Sequence, residues 1–209
     1  MTIYAEAKQI KRRADSVLEE VFRSLFEEID TEKLRLEVDT LRDAAPDFKA
    51  AQHARTLARR TAIRCAAAGA VTGLPLGIAS IGTLGADLAY LMYQQFRLIL
   101  GIAAVYGHDL SSRERFNEAL SCLAYATGVG AGKQGMALLG SSAVVEKIST
   151  RALREQLAKL IPFVGAISGG ALNYVSVRAV ARAAIRYYES RIDPEIADEI
   201  WADGDREHA

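Results

Sequence analysis

The sequence predicts an all-α protein, a single-domain helical bundle with glycine-rich apolar helical hairpins. Three observations carry this expectation. Apolar residues recur at three-to-four spacing along most of the chain. No segment sustains the alternation of β-branched residues that a half-buried strand requires. Two uncharged, glycine-rich stretches, Cys65–Ala86 and Leu160–Val177, interrupt otherwise charged helical text.

Thr2 to Ile29 reads as one long amphipathic helix, with Ile10, Val17, Leu18, Val21, Phe22 and Leu25 at helical spacing and Glu and Arg opposite. Thr31 opens a second helix, Glu32–Ala44, with Leu34, Val38 and Leu41 on its apolar face. Ala45-Pro46-Asp47 breaks it, because the residue before a proline avoids helical backbone. A third helix runs from about Asp47 to Gly69. Its first half is basic (His53, Arg55, Arg59, Arg60, Arg64), and it passes into the small residues Cys65 to Ala68. Gly73-Leu74-Pro75-Leu76-Gly77 marks a turn.

A strong helix follows over Ala86–Gly107, then a loop over His108–Ser111. Ser111 and Glu114 have the spacing of a capping box opening a helix over Ser112–Thr127. Gly128 to Gly132 interrupts it. Lys133–Leu160 is expected to be helical with a hinge at Gly140-Ser141-Ser142. The last long helix spans Ile161–Ile192, with Pro162 in its first turn. Asp193-Pro194 opens a short acidic helix to Trp201, and the final residues from Asp203 are expected to fray. The chain divides into N-terminal amphipathic helices (1–50), a helical core (51–192) and an acidic C-terminal tail (193–209).

The formal charge is zero, but it is unevenly placed. Residues 1–50 carry 9 basic and 12 acidic groups, residues 51–186 carry 15 and 6, and residues 187–209 carry 2 and 8. A basic, apolar centre between acidic ends suits an anionic membrane surface, or internal pairing between tail and body. Cys65 and Cys122 lie in apolar helical text and read as reduced core thiols of a cytoplasmic protein. The N-terminal residues lack the apolar run of a secretory signal. Neither glycine-rich stretch reads as a membrane-spanning helix, because Ala and Gly supply little transfer energy and Pro75 and Pro162 interrupt them.

Gly128 to Gln134 superficially resembles a phosphate loop, but Thr127 stands where a glycine is required and Gln134 where a hydroxyl is. Asp87, Gln94 and Arg97 are candidate buried polar groups on the helix Ala86–Gly107; Arg97 or an arginine of another helix is the expected partner of Asp87. Asn173 is a candidate buried hydrogen-bonding residue between helices. Arg178, Arg182 and Arg186 recur every four residues, as do Arg55–Arg59 and Arg60–Arg64. These stripes flank the apolar stretches, so Arg55, Arg59, Arg60, Arg64, Arg178 and Arg182 are candidate contacts for anionic lipid headgroups. Pairing with the acidic tail is the alternative. Interleaved aromatics for nucleic acid are missing, and no nucleic-acid partner is expected. No metal-ligand spacing and no nucleophile–base pair are found, so no cofactor and no enzymatic activity are expected.

Two groups of residues resemble the EcsC family of bacterial proteins. The first is Gly73-Leu74-Pro75, Ala86-Asp87-Leu88, Gln94-Gln95-Phe96-Arg97, Ile102-Ala103 and Tyr106-Gly107-His108-Asp109-Leu110. The second is Ile161-Pro162-Phe163-Val164-Gly165, Gly169-Gly170, Asn173-Tyr174, Ala183 and Tyr187-Tyr188. The resemblance spans about Arg59–Tyr188. It implies an all-helical, membrane-associated protein without an assigned catalytic site. The combined expectation is a lipid-binding protein peripheral to the inner face of the cell membrane. The alternative is an interaction module docking a membrane transporter or another partner. An enzyme would require Asp87, His53 or Lys133 to converge in an enclosed pocket.

Overall fold

The computed structural model describes residues 20–72, 80–111, 114–126 and 165–191; within these, the side chains of 71–72, 80–87 and 165–169 lie outside the description. The described residues form six helices and no strand, so the chain is an all-α bundle. In chain order they are α1 (20–27), α2 (Thr31–Asp43), α3 (Ala50–Thr72), α4 (Ser80–Val105), α5 (Arg115–Ala126) and α6 (Gly165–Glu189). The expected turn at Gly73–Gly77, the helices over Lys133–Leu160 and Asp193–Trp201, and the glycine break after Thr127 lie outside the described residues.

Local chemistry fixes the helix ends. Asp30 caps α2 by accepting the Lys33 amide at 2.9 Å. At α3 the Gln52 side chain reaches back to the Lys49 amide at 2.8 Å, the returning half of a capping box. α3 continues three residues past Gly69 to Thr72, beyond the expected end: Gly69 is buried, and a single helical glycine costs only about 1 kcal/mol against alanine. For the same reason α4 begins at Ser80, six residues before the expected Ala86, passing through Gly82 and Gly85.

α4 ends in a Schellman turn. Gly107 takes φ 78°, His108 donates its amide to the Ala103 carbonyl at 3.0 Å, and Gly107 donates to Ala104 at 3.0 Å. Arg42, in the last turn of α2, adds bonds to the Ala104 and Val105 carbonyls at 3.1 and 3.0 Å. The cation thus closes the negative end of the α4 dipole. α5 starts at Arg115, with Glu118 donating its amide to the Glu114 carbonyl at 3.0 Å. Ser111 therefore does not cap it; the Ser111 hydroxyl and amide both turn back to the Asp109 carboxylate, at 2.6 and 3.1 Å.

α4 is the central helix. From Phe96 to Tyr106 nearly every side chain but Arg97 is buried. Leu34, Val38 and Leu41 of α2, Leu57 and Ala58 of α3, Leu120 and Leu123 of α5, and Val177 and Val180 of α6 share its core. α1 is anchored by edge-on rings: Phe26 meets Phe96 at 5.7 Å and Phe116 at 5.4 Å. The window Leu88–Val105 is long and apolar enough to cross a membrane, but 67% of it is buried inside the protein. Burial in its own bundle accounts for that apolar character.

Candidate functional site

Among the described residues, α3 and α6 make the most extensive helix pairing, and small residues allow it. A side chain at Gly170 would place its Cβ 2.8 Å from the Ala66 carbonyl oxygen and 3.5 Å from the Ala70 Cβ. One turn along, Asn173 donates its side-chain amide to the Cys65 carbonyl at 3.2 Å. Residue numbers rise on α6 as they fall on α3, so the two helices run antiparallel. Gln95 of α4 donates to the Ser176 hydroxyl at 2.9 Å, and His108 meets the Tyr188 ring at 5.0 Å, so α4 runs parallel to α6.

This register brings three uncharged helix ends to one end of the bundle. They are 65–72 of α3, 80–86 of α4 and 165–177 of α6. Among the described residues, Asp87 borders this end on α4, and Arg64 borders it on α3 at the level of Tyr174. The described parts of the two glycine-rich stretches therefore meet, through Gly170 and Asn173.

The outer surfaces of both helices change character at the same level. On α6 the exposed side chains run Ala171, Leu172, Tyr174, Val175, then Arg182 and Arg186, with Arg178 half-buried between. Leu172 is 47% and Val175 59% exposed. On α3 they run Ala70 and Ala67, then Arg64 beside Ile63, then Arg60, Arg59 and Arg55. Because Cys65 faces Asn173, Ile63 lies near the level of Val175, and Arg60 near that of Arg178. Among the described residues, Arg55, Arg59, Arg60, Arg178 and Arg182 make no ion pair.

Arg64 differs from the other candidate arginines. It lies 3.7 Å from Glu37 of α2, whose carboxylate also takes the Arg97 guanidinium of α4. Arg97 thus pairs with Glu37, where the sequence suggested Asp87. The Asp87 side chain and Lys133 lie outside the described residues. Gln94 is buried, and its Oε1 has no hydrogen-bond partner among the described residues. His53, counted in the basic half of α3, is buried against the Phe48 ring at 5.7 Å; burial and the nearby Arg42 both lower its pKa, so it adds no charge to that face at neutral pH.

A second polar cluster joins the α4–α5 connection to the end of α6. Arg115 pairs with Glu118, and the Tyr188 hydroxyl donates to the same carboxylate at 3.1 Å. Arg115 also donates its Nε to the Asp109 carbonyl at 2.6 Å. Asp109 pairs with Arg35 of α2 at 2.8 Å. Hydrogen bonds from Ser111, then the Arg35 charge, hold its carboxyl below the usual range. This cluster brings together the residues after α4 (His108, Asp109) and those late in α6 (Tyr187, Tyr188), which sequence reading left apart. The signal for half of it was present: Arg115 and Glu118 are an i, i+3 pair.

The cluster is a structural clasp. Its thiol is inert, because burial and then the Glu118 charge push Cys122 up to about 12. A groove of about 270 Å³ beside it is lined by Arg35, Asp39, Arg42, His108 and Asp109, among others. Its arginines are already engaged with Asp109, Asp39 and the α4 carbonyls. Among the described residues no group of three or more His, Cys, Asp or Glu is placed to hold a metal ion. No family model, no curated protein and no solved structure matches the chain.

Proposed function

We propose that this chain is a non-enzymatic, lipid-binding helical protein that associates peripherally with the anionic inner face of a bacterial cell membrane. The observation that supports it most is that α3 and α6 pass from uncharged residues to arginines at about the same level, with Arg64 held by Glu37 and Arg60, Arg59, Arg178 and Arg182 in no ion pair among the described residues. Soluble surfaces have no need to align such transitions on antiparallel helices. A membrane interface does, because apolar side chains favour the acyl boundary while guanidinium groups favour phosphate oxygens. Arg55, Arg59, Arg60, Arg178 and Arg182 are the headgroup contacts in this reading. Arg64 is a weaker one, because Glu37 already holds it. The resemblance to the EcsC family, carried by the residues around Gly73–Leu110 and Ile161–Tyr188, points to the same class.

The test is sedimentation with vesicles of phosphatidylglycerol and phosphatidylcholine. The protein should pellet with the anionic vesicles at low salt and be released as salt rises, because screening shortens the reach of surface charge. A protein that stays in the supernatant at low salt is not a membrane binder. Stoichiometric capture of one membrane-protein partner, indifferent to lipid, would instead favour a docking module.

A further inference from the structure

Resting on the membrane reading, we infer that the outer edge of α6 at Leu172 and Val175 enters the headgroup–acyl boundary of the bilayer, with Arg178 and Arg182 at the level of the phosphates. Charge attraction alone would need only the arginines. The structure adds a continuous outer stripe on one helix: Ala171, Val175, Arg178, Arg182 and Arg186 succeed one another at three- and four-residue steps. The rise between Val175 and Arg182 is about 10 Å. That separation is of the same order as the depth, about 5–10 Å, to which the apolar face of an interfacial helix is buried.

Two tyrosines mark the same boundary. Tyr174 is 38% exposed on α6, and Tyr90 is 40% exposed on α4. Tyr90 lies five residues before Gln95 and Leu172 four before Ser176, and Gln95 and Ser176 are bonded in a parallel pair. Both rings therefore lie near the level of Leu172. Tyrosine suits this position because its ring prefers the apolar side and its hydroxyl the wet one. Ile63 of α3, 53% exposed, lies near the level of Val175, next to Arg64, which Glu37 holds. Asp87 sets a limit on depth, because a carboxylate is strongly disfavoured in the hydrocarbon core. Entry is shallow, and the helices do not cross.

The test uses tryptophan fluorescence in the full-length chain. Trp201 is the single native tryptophan, so Trp201→Phe gives a dark background. Val175→Trp is added to one variant and Leu36→Trp, 68% exposed on α2, to another. Each is mixed with phosphatidylglycerol–phosphatidylcholine vesicles carrying brominated acyl chains. Tryptophan at 175 should shift to the blue and lose at least half its intensity to bromine, while tryptophan at 36 stays unquenched. Sedimentation without quenching at 175 overturns the insertion edge but leaves surface binding standing. Equal quenching at both positions also overturns it. No sedimentation at all removes the membrane reading and this inference with it.

Discussion

Asn173 of α6 donates its side-chain amide to the backbone carbonyl of Cys65 on α3, across 3.2 Å. A helical carbonyl already accepts from its own helix, so this bond uses the second lone pair and needs close backbone approach. Gly170, one turn away, supplies that approach. Together they set the register in which the apolar ends coincide.

Gly170→Ala is therefore expected to destabilise the fold. Its Cβ would meet backbone at 2.8 Å, so two helices must separate, at a cost of about 1–3 kcal/mol. Gly101→Ala is the control. There the new Cβ would meet the Leu57 Cδ2 at 2.6 Å, the end of a side chain that can change rotamer, and helix propensity returns up to about 1 kcal/mol. Urea melts should show Gly170→Ala clearly weaker than Gly101→Ala. The reverse order would mean that the α3–α6 contact is not tight.

Glu37→Gln should cost about 1–2 kcal/mol, because it leaves Arg97, only 18% exposed, without its counter-charge. Arg64→Ala should cost less than about 1 kcal/mol, since Arg64 is 45% exposed and its pairing is solvent-screened. Thermal midpoints of the two variants check the ranking.

Stability should fall as pH drops through about 6.5. His53 and His108 both have lowered pKa values, burial being the main cause. The unfolded chain takes up protons near pH 6.5 that the folded chain resists, so acidification favours unfolding. The stability is fully present above that range and declines between it and the lower folded values. A His53→Gln, His108→Gln double variant should flatten the dependence of unfolding free energy on pH between 7.5 and 5.5.

Native protein should be nearly unreactive toward a thiol reagent at pH 8. Both cysteines are buried, with burial pushing Cys65 up to about 11 and Cys122 up to about 12. Denaturant should expose both thiols, and colorimetric titration counts them. Fast labelling of either in the native state would contradict the packing around it.

Among the described residues, helical text was legible where periodicity was strong. Leu34, Val38 and Leu41 read as one face of α2 and form one. Boundaries at glycines were not, because Gly69, Gly82 and Gly85 look like breaks to propensity while packing carries the helix through them. The arginine stripes were legible as spacing, but their environments were not. Only the fold shows that Glu37, sixty residues from Arg97, takes it and Arg64 together. Ser111 misled as a cap because Asp109, two residues earlier, competes for its hydroxyl. The joining of Asp109, Arg115, Glu118 and Tyr188 had no sequence signal beyond the Arg115–Glu118 spacing.

The most direct test is the vesicle affinity of Arg60→Ala, Arg182→Ala against wild type, in anionic vesicles at low salt. Both side chains are exposed, one on each helix, so the fold should melt at an unchanged temperature. Each basic group near an anionic surface contributes roughly 1 kcal/mol, so the double variant should bind about 30-fold more weakly. Affinity equal to wild type would show that the aligned arginines of α3 and α6 do not face a membrane.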